Sequence, residues 1–326
     1  MQRTSIVANE HSRILRDLKR CLAQTAKTNF ARTENFNVMN LQPMPEARGS
    51  KILAEFQRSK QHGTPLVMRQ FAKDWPANHW TWNDLCRAVG SRTTGIRGNA
   101  FAHGQSTTFF PKPIAQKPIA EYFRQLERNE TSDERLFAFN LRANAPGLNH
   151  SNTKRFHTLG IRVANVPAYF FGAPGSDTRI HYDFDWIDLL LSHFKGQKRV
   201  WLFDQRQNDR LYQIPGTVHS AVDFSRLEEL REEFPKIEQL EGYEVVLEPG
   251  DTLYIPKGYW HHITYVTGSF SITYRIWPQN LREWLKTSYS WLVGGTDIVL
   301  NKIPGTSAWQ ARRRAKAFEA KYGRPL

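Results

Sequence analysis

The sequence predicts a mainly β protein, an antiparallel sandwich or barrel flanked by helices. Three observations carry this. From about residue 136 to 277 the chain is a series of short apolar and aromatic runs, LFAFNL, VPAYFFG, KRVWLF, YEVVLEPGDTLYIP, HHITYV and SFSITYRIW, of strand length and rich in β-branched residues. PG, PGD and TG between them supply the turns that join antiparallel neighbours. Helical patterns do not alternate regularly with strands, which argues against a doubly wound parallel sheet.

In chain order, residues 10 to 27 place Ile14, Leu15, Leu18 and Leu22 at helical spacing among basic residues, an amphipathic first helix in a basic arm over 1–35. FNVMNLQPM predicts a short strand, SKILAEFQRSKQHG a helix ending at Gly63, TPLVMRQF a strand, and WTWNDLCRAVG a helix closed by Gly90. Inside the β region, DWIDLLLSHFKG (185–196) and DFSRLEELREEF (223–234) predict helical interruptions. After Trp277 the pattern becomes helical, broken at Gly294 and Gly295. A last helix begins near Ser307, where Ser307 and Gln310 match a capping box, and runs to Gly323. The organisation is an arm (1–35), a β domain (36–277) and a helical segment (278–326).

Composition bounds the function. The 326 residues are 40% apolar, 13% aromatic and 23% charged, a globular mixture. Two cysteines, Cys21 and Cys86, cannot form a disulfide framework or a four-thiolate metal site. The N-terminus has no apolar h-region, and no apolar run reaches the ~18 residues a membrane helix needs, so a cytoplasmic protein without membrane contact is expected. The formal charge of +14 sits largely at the ends. Those ends are either solvated basic faces or a footprint for an acidic partner such as RNA.

The chemistry-bearing residues begin in DTRIHYDFD, where His181 and Asp183 are separated by one residue. In a strand such positions share a face, so an imidazole and a carboxylate can converge on one ion. Eleven histidines make a lone His-x-acid match weak. The second piece is LEPGDTLYIPKGYWHHI, where a PGD turn, a strand and a second turn return the chain to the sheet at His261. His262 must point to the opposite face, so His261 is the candidate partner. Two histidines and a carboxylate on one side of an ion suit non-heme Fe(II) oxygenases and differ from closed tetrahedral zinc sites. No GxGxxG, P-loop or Ser-His-Asp arrangement stands out. The large aromatics Trp75, Trp80, Trp82, Trp201 and Trp277 are expected in the core, with Trp186 beside the metal motif left open.

At these residues the sequence resembles the JmjC and cupin-like 2-oxoglutarate- and Fe(II)-dependent oxygenases, in particular the branch of the asparaginyl hydroxylase that modifies hypoxia-inducible factor. The resemblance lies in PLVMRQFAKDWPANHW (65–80), TRIHYD (178–183), FKGQKRVWLF (194–203) and PGDTLYIPKGYWHHI (249–263), in the family's order. It implies a double-stranded β-helix, a cupin or jelly-roll core of JmjC type, in which His181, Asp183 and His261 hold iron. It further implies that 2-oxoglutarate chelates the metal, with Lys198 on its far carboxylate and Thr178 as a second contact. Phe137 stands where the asparaginyl hydroxylase has a tyrosine on that carboxylate. Arg275 stands near the position of an asparagine close to the metal; it is either a second cation for co-substrate or substrate, or a residue on the outside of the sheet.

The implied activity is hydroxylation of an amino-acid side chain in a protein or peptide, with release of succinate and carbon dioxide. The alternatives are hydroxylation of a modified base in tRNA and a metal-binding module without catalysis; demethylation would follow from the same oxidation at an N-methyl carbon. The C-terminal helices imply a homodimer with Leu281, Trp284, Leu285, Trp291 and Leu292 among its contacts, or else packing on the protein's own barrel.

Overall fold

Side-chain alternation along one strand shows how the core is built. The computed structural model describes residues 39–105, 112–148, 153–164, 166–300, 303 and 305–326, with the backbone alone for 293–300 and 307. In β10 (Lys198–Phe203) Val200 and Leu202 point to one face, Trp201 and Phe203 to the other. Both pairs are buried, so the strand is apolar throughout. Val200 and Leu202 join Val67, Leu191, Val245, Leu253 and Ile263 between two sheets. Trp201 and Phe203 join Phe224, Ile237, Trp260 and Phe318 on the outer side. Each such apolar side chain contributes roughly 1.5–3 kcal/mol on burial.

The first sheet runs β1 (Asn40–Pro43), β11 (Glu241–Leu247), β10, β13 (Trp260–Tyr265) and β8 (Asp177–His181). The second runs β2 (Glu46–Arg48), β3 (Leu66–Arg69), β12 (Thr252–Ile255), β9 (Leu189–Lys195), β14 (Ser269–Arg275), β7 (Ala168–Gly172) and β6 (Arg135–Phe139). Most neighbours are antiparallel, as the turn signals require; β1 with β11 and β2 with β3 are parallel. The facing sheets form a jelly-roll core. A hairpin of β4 (Thr93–Ile96) and β5 (Ala115–Pro118) stands apart.

Three helices cover the outer face of the second sheet: α1 (Ile52–His62), α2 (Trp82–Val89) and α3 (Ile119–Glu127). Gly63 ends α1 in the left-handed conformation, at φ 64°. Thr81 and Asp84 cap α2 reciprocally. Phe56, Leu85 and Phe123 from these helices meet Phe171, Leu190, Phe270 and Ile272 from the sheet. After the core come α4 (Leu281–Leu300) and α5 (Thr306–Tyr322).

Several expectations are corrected. Residues 189–195 form β9 rather than a helix. A strand buried on both faces is a continuous apolar run, and periodicity alone cannot separate that from a buried helix. In 223–234 only a 3-10 turn and one α-helical turn form. The α4 helix passes through Gly294 and Gly295 without a break. The α5 helix starts at Thr306 behind Gly305, which puts Ser307 inside the helix and not at its cap. Trp277 is 43% exposed and stacks on Trp284, not in the core. The amphipathic segment 10–27 and the arm over 1–35 lie outside the described residues.

Candidate metal centre

The site grows from the pairing of β13 with β8. His261 lies directly opposite His181, whereas Ile263 lies opposite Thr178, so β8 carries one extra residue between its two matched positions. Such a bulge re-aims side chains. Thr178 and His181, three apart and therefore on opposite faces of a regular strand, here both line one cavity.

Asp183 follows His181 in the loop, with its Oδ1 3.7 Å from His181 Nε2. The His181 and His261 ring centroids are 4.2 Å apart. One ligand atom from each of His181, Asp183 and His261 lies within 4.8 Å of the others, and among the described residues they are the one such His/Cys/Asp/Glu group.

Hydrogen bonds set the chemistry of the donors. His181 Nδ1–H donates to the Arg179 carbonyl at 2.8 Å, and His261 Nδ1–H to the Tyr259 carbonyl at 3.3 Å. A carbonyl can only accept, so each Nε2 is left with its lone pair for a metal. Burial first, and then His261, hold the His181 imidazole well below its usual range, keeping it neutral. Two imidazole nitrogens and one carboxylate oxygen on one side suit an octahedral ferrous ion.

His262 points the other way. Its Nδ1–H donates to the Thr178 carbonyl at 2.9 Å, and its ring sits 5.4 Å from Trp201 and 5.5 Å from Phe224. The alternation along β13 thus separates the adjacent histidines.

The cavity has a volume of about 80 Å³ and is lined by His181 and Asp183 with Thr178, Arg97, Arg135, Phe137, Phe184, His219 and Arg275, among others. Arg275 belongs to this inner face. Its guanidinium pairs with the fully buried Asp185, whose carboxyl is pushed up by burial and by Asp183. Lys198 shares the face of β10 that carries Val200 and Leu202, between the two sheets. It is 1% exposed, donates from Nζ to Ser271 Oγ at 2.5 Å and sits 4.4 Å from the Tyr265 ring centroid.

Sequence reasoning missed Arg97, Arg135 and His219. Alternation in RLFAF puts Arg135 and Phe137 on the face opposite Leu136, a signal that was available. His219 approaches from a loop that bridges to His181, with ring centroids 5.7 Å apart; no local pattern marks it.

Known proteins resemble this chain in sequence at low identity. The chain is 27% identical over 234 residues to the lysine-specific demethylase JMJ30 of Arabidopsis thaliana, covering 68% of this chain and 51% of that protein. It is 26% identical over 235 residues to the Jumonji C domain-containing protein 5 of Drosophila melanogaster, covering 68% and 57%. It is 20% identical over 263 residues to the HSPB1-associated protein 1 of Rattus norvegicus, covering 74% and 53%. The chain spans about half the length of these curated relatives. The family model described as a cupin-like domain matches residues 53–281, well over half of the 326, and the chain therefore belongs to the cupin-like domain family.

Proposed function

We propose that this protein is an Fe(II)- and 2-oxoglutarate-dependent dioxygenase that hydroxylates an amino-acid side chain in a protein or peptide, with succinate and carbon dioxide as co-products. The observation that carries this reading is the convergence of His181, Asp183 and His261 on one point, with His181 and Asp183 lining a cavity. His181, Asp183 and His261 would hold the ferrous ion from one side, and the ion would supply activation of dioxygen, the oxidant, with the keto acid as co-reductant.

The chain's own residues do the holding and the shielding. His181 and His261 present oriented lone pairs, and Asp183 supplies the negative charge. Phe137 and Phe184 wall the cavity, and Phe184 leans on Trp291 of α4 with ring centroids 5.0 Å apart. A substrate entering past these rings displaces water from the reacting atoms. The name of the plant relative supports demethylation as a variant of the same oxidation, since an N-methyl group hydroxylated at carbon breaks down by losing formaldehyde.

The test is succinate formation from 2-oxoglutarate with Fe(II), combined with intact-mass screening of peptide pools for a gain of one oxygen. His181→Ala and Asp183→Ala should abolish both signals. A wild-type protein that holds iron and 2-oxoglutarate yet makes no succinate with any pool would leave a binding module instead.

One observation favours tRNA as a second substrate class. The α5 helix presents exposed Arg312, Arg313 and Lys316, with Arg313 lying 5.5 Å over Trp309. Turnover that falls steeply as salt rises would support RNA, because phosphate contacts release counterions.

A further inference from the structure

We propose that Arg179 is a positioning residue of the metal centre: its side chain locks the bulge of β8, so that its own carbonyl holds the His181 imidazole in the orientation a metal requires. The proposal rests on the metal reading above and names what fixes one of the three ligands.

The bulge makes such a lock necessary. Arg179 and Ile180 stand between the matched pairs of His181 with His261 and Thr178 with Ile263. A bulge leaves part of the ladder unmade, so the direction of a carbonyl there depends on what else grips the residue. The Arg179 carbonyl is the one that accepts His181 Nδ1–H, at 2.8 Å. A turn of that peptide plane would withdraw the acceptor and release the ring.

The Arg179 side chain supplies the grip. Its Nε and Nη2 both donate to the Ser220 carbonyl, at 3.2 and 2.6 Å. Ser220 N–H donates in turn to the Ile180 carbonyl at 3.4 Å, and Tyr182 N–H to the Val218 carbonyl at 3.2 Å. Residues 218–220 are therefore tied to β8 just before and just after His181. The Phe101 ring covers the guanidinium, 4.9 Å from its carbon. That cover is anchored to the same strand: Phe101 N–H donates to Asn99 Oδ1 at 2.8 Å, and Asn99 Nδ2 to Asp177 Oδ1 at 3.1 Å.

The cost of the arrangement argues for a geometric role. Arg179 is 6% exposed, and its buried Nη1 has no hydrogen-bond partner among the described residues. Its other N–H groups go to a neutral carbonyl and not to a carboxylate. A methionine of similar length would fill the space without burying a charge. It could not grip the Ser220 carbonyl with two N–H groups at once and so fix the angle of the backbone beneath. His261 takes its acceptor from Tyr259, outside β8, and serves as an internal reference.

The experiment uses the full chain, metal-free and then loaded with Mn(II) or Co(II). Calorimetry should find that Arg179→Met weakens Mn(II) by about 10-fold, the lower end of what is lost with a group that orients a ligand. Proton NMR of the Co(II) protein in water shows the Nδ1–H of each metal-bound imidazole as a shifted, exchangeable signal. Arg179→Met should lose one of these two signals to exchange and keep the other. Arg179→Lys, which still offers the Ser220 carbonyl a donor, should return most of both readouts.

A drop in urea stability for Arg179→Met with Mn(II) affinity and both signals unchanged would make the arginine merely structural and overturn the assignment. Loss of both signals together would mean a general loosening of the site and also overturn it. Where Arg179→Met does not fold, Phe101→Ala keeps the arginine and removes its cover. That variant should weaken Mn(II) by about 3-fold and speed the exchange of one signal, and unchanged exchange would overturn the proposal. Wild-type protein that binds neither Mn(II) nor Co(II) would instead remove the metal reading beneath it.

Discussion

His181 and His261 face each other across β8 and β13, and each donates its Nδ1–H to the carbonyl two residues before it, Arg179 and Tyr259 respectively. The same local device, used on two strands, presents two Nε2 atoms to one point before any metal arrives. Preorganisation of this kind lowers the ordering cost of binding an ion.

Removing either ring should therefore cost the ion. His181→Ala or His261→Ala is expected to weaken Mn(II) binding by about 100-fold or more, whereas His262→Asn stays within about 3-fold of wild type. Calorimetry on metal-free protein decides it. Equal losses for His261 and His262 would refute the assignment of faces.

The pair of Arg275 and Asp185 is a second target. Arg275→Met leaves the fully buried Asp185 carboxylate uncompensated, for an expected loss of about 3–5 kcal/mol in urea unfolding. The double variant R275M/D185N should recover most of it. A single variant as stable as wild type would mean that the pair holds nothing together.

Acid should destabilise the metal-free protein through His193. Its imidazole is fully buried, donates from Nε2 to the Gly196 carbonyl at 2.7 Å, and is lowered to about 3 by burial and by Lys198. The unfolded chain takes up this proton near the ordinary histidine value of about 6.5 while the native state refuses it until about 3. Unfolding therefore binds a proton in that window. Stability should drop as the pH is lowered from about 6.5 towards 3, by up to about 1.4 kcal/mol per unit from this group, and be unaffected by it above about 7. His193→Gln should flatten the slope by that amount in urea titrations between pH 4 and 6, as order-of-magnitude bounds; an unchanged slope would contradict the assignment.

The two C-terminal helices divide the labour. Phe318 of α5 is fully buried against the protein's own core. Leu281, Trp284, Leu285, Trp291 and Leu292 of α4 remain exposed, five large apolar side chains on one helix. We expect a homodimer through α4, with light scattering returning twice the 37.9 kDa of one chain. Leu281→Glu with Leu285→Glu should halve that mass. Wild-type protein at 37.9 kDa in micromolar solution would exclude the dimer.

What could be read from the sequence follows from how local each signal is. Short aromatic runs and PGD turns made the β core legible, and the i, i+2 spacing of His181 and Asp183 made half the site legible. The separation of His261 from His262 followed from strand alternation alone. β9 was misread because its neighbours bury both of its faces, which is a property of the sheet and not of the segment. The hairpin with Arg97 and the loop with His219 reach the site through tertiary approach, and TTGIRGN holds no periodicity from which to infer it. Lys198 was legible only through resemblance, and its burial under Tyr265 could not be foreseen from its own strand.

The extra residue in β8 turns the interval between Thr178 and His181 into a ruler. Exchanging Ile180 for another aliphatic side chain keeps the count and hence the aim of both ends. Deleting one codon there would regularise the ladder and rotate one end away from the cavity, so that the capacity to grip an ion would vanish from a strand still carrying every ligand it started with.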